Sequence, residues 1–196
     1  MKKTSGKIGT AGLCAAILAV FLLVSPSAQA TSGNVNFFVG QKSMDDSDYW
    51  DPTDDQTEFG LIFDMSERRW PLSLEMGFMM SSDDSSGGGV SRDATTSELF
   101  MGVKKIWAIR NFPLKPFVSG GLAYVSAEDE FENAFYSLEA DDSALGFYLS
   151  AGAYATLSRH LNLGFLFRIS KAELDLIDDD VDAGGEHFGL FIGYHF

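Results

Sequence analysis

The stretch Phe188-Gly189-Leu190-Phe191-Ile192-Gly193-Tyr194-His195-Phe196 alternates without a break. Phe188, Leu190, Ile192, Tyr194 and Phe196 fall at every second position, so on a strand they share one face. The other face has Gly189, Phe191, Gly193 and His195, smaller and partly polar. Terminal segments in water tend to be polar and frayed. A strand that closes a barrel in lipid, by contrast, needs such an apolar stripe.

Period-two alternation recurs in seven further stretches. Val35, Phe37 and Val39 oppose Asn36, Phe38 and Gly40; Phe59, Leu61, Phe63 and Met65 oppose Glu58, Gly60, Ile62 and Asp64. Leu72, Leu74, Met76, Phe78 and Met80 oppose Ser73, Glu75, Gly77 and Met79; Leu99, Met101 and Val103 oppose Glu98, Phe100, Gly102 and Lys104. The fifth stretch is the weakest, with Val118, Leu122 and Tyr124 against Phe117, Ser119, Gly121 and Ala123. Phe147, Leu149 and Ala151 then oppose Gly146, Tyr148, Ser150 and Gly152. Leu161, Leu163, Phe165, Phe167 and Ile169 oppose Asn162, Gly164, Leu166, Arg168 and Ser170. Each stretch is near the ~9–11 residues that a tilted strand needs to cross a bilayer.

Cost decides which face meets lipid. A lysine or arginine at the membrane midplane costs about 2–4 kcal/mol, and an acidic residue somewhat less. Glu58, Asp64, Glu75, Glu98, Lys104, Arg168 and His187 all lie on the glycine-rich face, which is therefore the interior. A water-soluble barrel would carry its apolar residues inside and its charges outside. Alternation alone fits both.

The amino-terminal end favours the membrane form. Lys2, Lys3 and Lys7 precede an apolar run from Ile8 to Val24, and Ala28-Gln29-Ala30 offers a small-x-small cleavage site. This pattern predicts a secretory signal over residues 1–30 and a mature barrel domain over residues 31–196. Cys14 is the only cysteine; Leu13 before it does not suit a lipoprotein site, and the mature chain is expected to have no thiol chemistry. No other segment is long and apolar enough for a membrane helix.

Connections give an independent check. The linkers over residues 43–57, 81–97, 127–143 and 172–186 are long, and shorter turns over 66–71, 107–115 and 156–160 alternate with them. Outer-membrane barrels pair long outer loops with short periplasmic turns in this way. The four long linkers hold 23 of the 28 acidic residues and one basic residue, Arg92. The short turns hold Arg68, Arg69, Arg110, Lys115 and Arg159. Trp70, Trp107, Phe112 and Tyr194 fall near the periplasmic end, where an interfacial aromatic girdle belongs. The mature chain has eleven basic against 28 acidic residues, a formal net charge of −17, which argues against nucleic-acid binding.

Together these features resemble the small eight-stranded outer-membrane barrels of the OmpA/OmpX type and the opacity-protein-like surface antigens. The residues behind the resemblance are the terminal strand, with its final aromatic, and Pro116-Phe117-Val118-Ser119-Gly120-Gly121-Leu122-Ala123-Tyr124. The resemblance implies an all-β, antiparallel up-and-down transmembrane barrel, monomeric, in the outer membrane of a Gram-negative bacterium. It also implies Phe188, Leu190, Ile192, Tyr194 and Phe196 as the insertion signal read by the barrel assembly machinery, with periplasmic chaperones as transient partners. With the barrel running to Phe196, a peptidoglycan-binding domain is not expected. Function is poorly specified by such a fold.

Strand alternation places Glu58, Glu98, Arg168 and His187 in the outer half of the lumen and Asp64, Glu75 and Lys104 in the inner half. Unpaired charge there is costly, so Arg168 is expected to meet Glu58 or Glu98, and Lys104 to meet Glu75 or Asp64. Eight strands leave an interior that side chains can fill, and Phe38, Phe100, Phe117, Tyr148, Tyr154 and Phe191 supply bulk. A structural plug is one reading, and a narrow gated conduit for ions or small apolar molecules is the other.

The acidic linkers suggest a surface role, with outer-membrane lipid and lipopolysaccharide as partners through divalent cations. Asp178-x-Asp180-x-Asp182 copies the opening of an EF-hand loop, but Ala183 replaces its turn glycine and Gly189 its closing glutamate. These three aspartates remain weak cation candidates, and no cofactor is expected. An enzyme acting on lipid A would need a Ser–His–acid row. His160, His187 and His195 have no serine two positions away on their own strand face, so catalysis is not expected.

Overall fold

The computed structural model describes residues 31–45, 54–67, 69–87, 90–110, 112–133, 137–176 and 179–196. The signal-peptide reading over residues 1–30 lies outside them. The strands are β1 (Thr31–Met44), β2 (Asp55–Glu67), β3 (Ser73–Gly87), β4 (Val90–Ile106) and β5 (Leu114–Asn133), followed by β6 (Ser137–Leu157) and β7 (Leu161–Lys171). Two short strands, β8 (Glu173–Leu176) and β9 (Asp179–Asp182), precede β10 (Gly185–His195).

Eight strands close an antiparallel barrel in the order β1-β10-β7-β6-β5-β4-β3-β2, while β8 and β9 form a separate two-stranded hairpin. Every consecutive pair is joined directly, and the last strand returns to the first, so the barrel has no open edge. Among the described residues no helix is long and apolar enough to cross a membrane.

The period-two pattern sets the wall. On β10, Leu190 is 62% exposed while its neighbour Phe191 is 4% exposed. The same alternation runs through β2 and β7. The outward residues Phe188, Leu190, Ile192, Tyr194 and Phe196 all present their side chains on the exterior. Backbone bonds in both directions between Gly33 and Phe196 complete the seam, and the Phe196 ring stacks on Phe63 of β2 at 6.0 Å.

Two linkers are shorter than the sequence suggests. Residues 81–97 and 127–143 were expected to be loops, but β3 and β4 stay paired out to Gly87↔Val90, and β5 and β6 out to Glu132↔Ser137. Beyond the bilayer both faces of a hairpin are wet, so the ladder continues with no apolar stripe to announce it. The 172–186 linker contains the β8–β9 hairpin for the same reason.

Inside, glycines make room for rings. A methyl group at Gly164 would lie 2.6 Å from the Phe191 ring, and one at Gly77 would collide with Phe100. Phe117, Tyr154 and Phe191 meet one another at centroid distances of 6.2 Å, forming an aromatic layer across the inner half of the lumen.

Candidate functional site

Inward polar side chains gather in two clusters. The outer one converges on Glu98 of β4. Its carboxylate lies 2.7 Å from Arg168 Nη2 and 3.0 Å from Lys42 Nζ, and accepts a hydrogen bond from Ser170 at 2.9 Å. Lys42 also donates to Thr96 and to the Ala183 carbonyl oxygen just after β9, which ties the hairpin to the barrel mouth. Glu58 meets His187 Nδ1 at 2.8 Å. Gln56, Ser81 and Thr96 extend the cluster around the wall. Register explains the grouping: His187 faces Arg168 across β10 and β7, Glu98 arrives from β4 on the far side, and Glu58 from β2, which only β1 separates from β10.

The inner cluster centres on Lys104, 2.9 Å from Glu75 and 3.2 Å from Asp64. Ser119 and Tyr148 donate to Glu75, and Asn34 donates to Asp64. Asn162 of β7 reaches Asn34 at 2.7 Å.

Between the clusters the Arg168 guanidinium is held against Phe100 and Tyr148, 4.1 and 4.2 Å from their ring centroids. Such cation–π contacts are strongest where water is excluded. Arg168 Nε is the one buried side-chain polar atom without a protein partner among the described residues. Arg168 is among the residues that line a small cavity of about 10 Å³, room for roughly one water.

All seven ionisable residues assigned to the lumen from sequence are buried there. Arg168 meets Glu98 rather than Glu58, and Lys104 meets both of its candidate partners. Lys42, wholly buried, escaped the sequence reading. The signal was present: Lys42 follows Asn36, Phe38 and Gly40 at even steps, just past the last apolar residue of its strand. Asp178 lies outside the described residues. Asp180 sits on the extended strand β9, facing Asp175, and Asp182 accepts hydrogen bonds from the Ala172 and Gly184 amides. Both amides bond its Oδ1, and Lys171 lies 3.7 Å from its Oδ2.

Sequence reading found no serine near a histidine along one strand, but the register supplies one from the neighbour. Ser170 Oγ lies 2.9 Å from His187 Nε2, and Glu58 contacts Nδ1 of the same ring. This Ser–His–acid row is sealed in the lumen, not set on the lipid-facing wall. Ser170 also donates its only hydroxyl hydrogen to Glu98. Nε2 must then be the donor to Ser170, the reverse of a nucleophile yielding its proton to a base. His195 Nδ1 meets Asn34, and His160 Nδ1 meets the His195 carbonyl oxygen.

Known structures share this architecture. Neisserial surface protein A is 10% identical, with 87% of this chain and 98% of that one aligned at a TM-score of 0.54. Ail, the attachment invasion locus protein of Yersinia pestis, is 15% identical over 85% and 97% of the two chains, at a TM-score of 0.56. A major outer membrane protein of Thermus thermophilus is 12% identical over 86% and 100%, at a TM-score of 0.60. At these identities the likeness is one of fold. Among curated proteins none matches the sequence significantly. The family of outer membrane protein β-barrel domains matches residues 13–196, nearly the whole sequence, and the chain belongs to that family.

Proposed function

We propose that this protein is a plugged, non-enzymatic barrel of the Gram-negative outer membrane that works through its acidic outer surface. The observation behind this reading is the filled lumen. Two ion-paired clusters and an aromatic layer span it, and the cavity lined by Glu75, Phe100, Lys104 and Arg168 between them has a volume of only about 10 Å³. A lumen filled by side chains in this way offers ions no open path, which weighs against the narrow-conduit reading. What distinguishes the chain is then the charge on its long connections, 23 acidic residues against Arg92.

That sign selects the partner. One solved structure of Ail holds the heparin analogue sucrose octasulfate. Acidic loops would repel so anionic a ligand. They suit divalent cations bridging to lipopolysaccharide phosphates, or basic protein surfaces.

Two measurements test the proposal. Folded protein, verified by heat-shifted gel mobility, should be silent in planar bilayers, and discrete current steps would overturn the plug. Its association with lipopolysaccharide aggregates should require magnesium and vanish with EDTA. Association that survives the chelator would remove the cation bridge.

A further inference from the structure

Hydrogen-bond direction places a proton in the outer cluster. Glu98 meets Arg168 and Lys42, so it is a carboxylate and only accepts. Ser170 gives its one hydroxyl hydrogen to Glu98, and its oxygen therefore accepts from His187 Nε2 at 2.9 Å. On the other side of the ring, Nδ1 lies 2.8 and 2.9 Å from the two oxygens of Glu58. A hydrogen lies in that contact too, whether the ring or the carboxyl carries it. The Glu58–His187 pair thus holds one proton more than a neutral imidazole beside a carboxylate.

That proton balances the lumen. Among the described residues, buried Lys42, Lys104 and Arg168 stand against buried Glu58, Asp64, Glu75 and Glu98. The shared proton is the fourth positive charge for the fourth carboxylate. Without it Glu58 is a buried charge stripped of its partner, a costly state. The charged groups around His187 decide what answers. Lys42 of β1 and Arg168 of β7 flank it in register, Glu58 comes from β2 beyond β1, and Glu98 from β4 across the lumen. Arg168 is clamped between the Phe100 and Tyr148 rings. Lys42 is a flexible chain on the strand beside β2, so it is the cation able to follow the charge. Its ammonium now grips Glu98, Thr96 and, at 2.8 Å, the Ala183 carbonyl oxygen that follows β9. A second tether of the β8–β9 hairpin, Lys171 with Asp45 and Asp182, is exposed, and such pairs contribute little.

We propose that the Glu58–His187 pair is a proton latch for the barrel mouth. While the pair holds its proton, Lys42 pins the β8–β9 hairpin; when the proton leaves, Lys42 turns to Glu58 and the hairpin is released. The latched state is the one that binds the proton, so it is favoured at lower pH and lost as pH rises. The device is independent of what the acidic loops bind.

Residues 31–196 contain no cysteine, so nitroxides at Glu173→Cys on the hairpin and Ser82→Cys on β3 report one distance by double electron–electron resonance. The otherwise wild-type barrel should give a single narrow distance at about pH 5 and lose it as pH rises through and beyond about 8, the upper end of the usual histidine range. His187→Gln leaves Glu58 without its proton donor and should shift release to lower pH. Glu58→Gln needs no countercharge and should stay latched throughout, as should the double variant Glu58→Gln, His187→Gln. Heat-shifted mobility shows which variants are folded, and the wild-type pH scan stands whether or not they are. A wild-type distance indifferent to pH, a Glu58→Gln transition like that of wild type, or a double variant released as readily as His187→Gln overturns the latch.

Discussion

Replacing Glu98 with alanine removes the carboxylate on which the outer cluster converges. In the variant Arg168 keeps its contacts with the Phe100 and Tyr148 rings, and Lys42 keeps Thr96 and the Ala183 carbonyl, but both lose their countercharge. Removing one partner of a buried ion pair costs about 3–5 kcal/mol, because the remaining charge stays buried. With a urea dependence of about 2 kcal/mol per molar, the unfolding midpoint in lipid vesicles should fall by roughly 1.5–2.5 M. Tryptophan fluorescence, checked for coincident folding and unfolding curves, reads this shift. Glu98→Gln keeps the side-chain shape and an acceptor oxygen, so its loss should be smaller. The double variant Glu98→Met, Arg168→Met should lose less than the sum of its parts, since paired charges replaced together are often nearly neutral. A Glu98→Ala midpoint within about 0.3 M of wild type, under ~1 kcal/mol at that slope, would refute the view that this carboxylate neutralises two buried cations.

Other perturbations test other parts of the wall and lumen. Leu190→Arg puts a charge on the lipid face and should cost about 2–4 kcal/mol if the residue sits near the midplane, read by the same urea titration. Gly164→Ala drives a methyl group against Phe191 and Tyr154, an overpacking worth about 1–3 kcal/mol, and Phe191→Leu in the same chain should restore part of it. Tyr148→Ala removes one ring holding Arg168 and should produce discrete conductance in planar bilayers where the wild type is silent. Silence from the folded variant would show that the remaining side chains seal the lumen unaided.

The wall was legible in the sequence because lipid enforces a strict rule. Each membrane-spanning step on β7 and β10 had to be apolar outward, and the residues between them fell inward by parity. Arg168 and Glu98 were readable as luminal for that reason, although choosing Glu98 over Glu58 needed the register. Outside the bilayer the rule lapses. The paired ends of β3–β4 and β5–β6 are serine- and acid-rich, so hairpin and loop look alike there. Lys42 was lost at that boundary, two residues beyond Gly40. The Ser170–His187 contact was hidden differently, because it joins two strands and no single-strand pattern encodes it.

The outer luminal cluster crosses the barrel, with Lys42 of β1 and Arg168 of β7 both bonded to Glu98 of β4. Mechanically these contacts are spokes. A hoop of strands held only by its ladder can ovalise under lateral membrane pressure, since bending a sheet strains each rim bond slightly. Spokes convert that soft bending into direct stretching of short polar contacts, which is far stiffer. Spin labels on opposite strands should accordingly give one narrow distance, broadened when Glu98 is removed. A barrel braced in this way keeps its cross-section round, and with it the spacing at which its outer hairpins stand above the membrane.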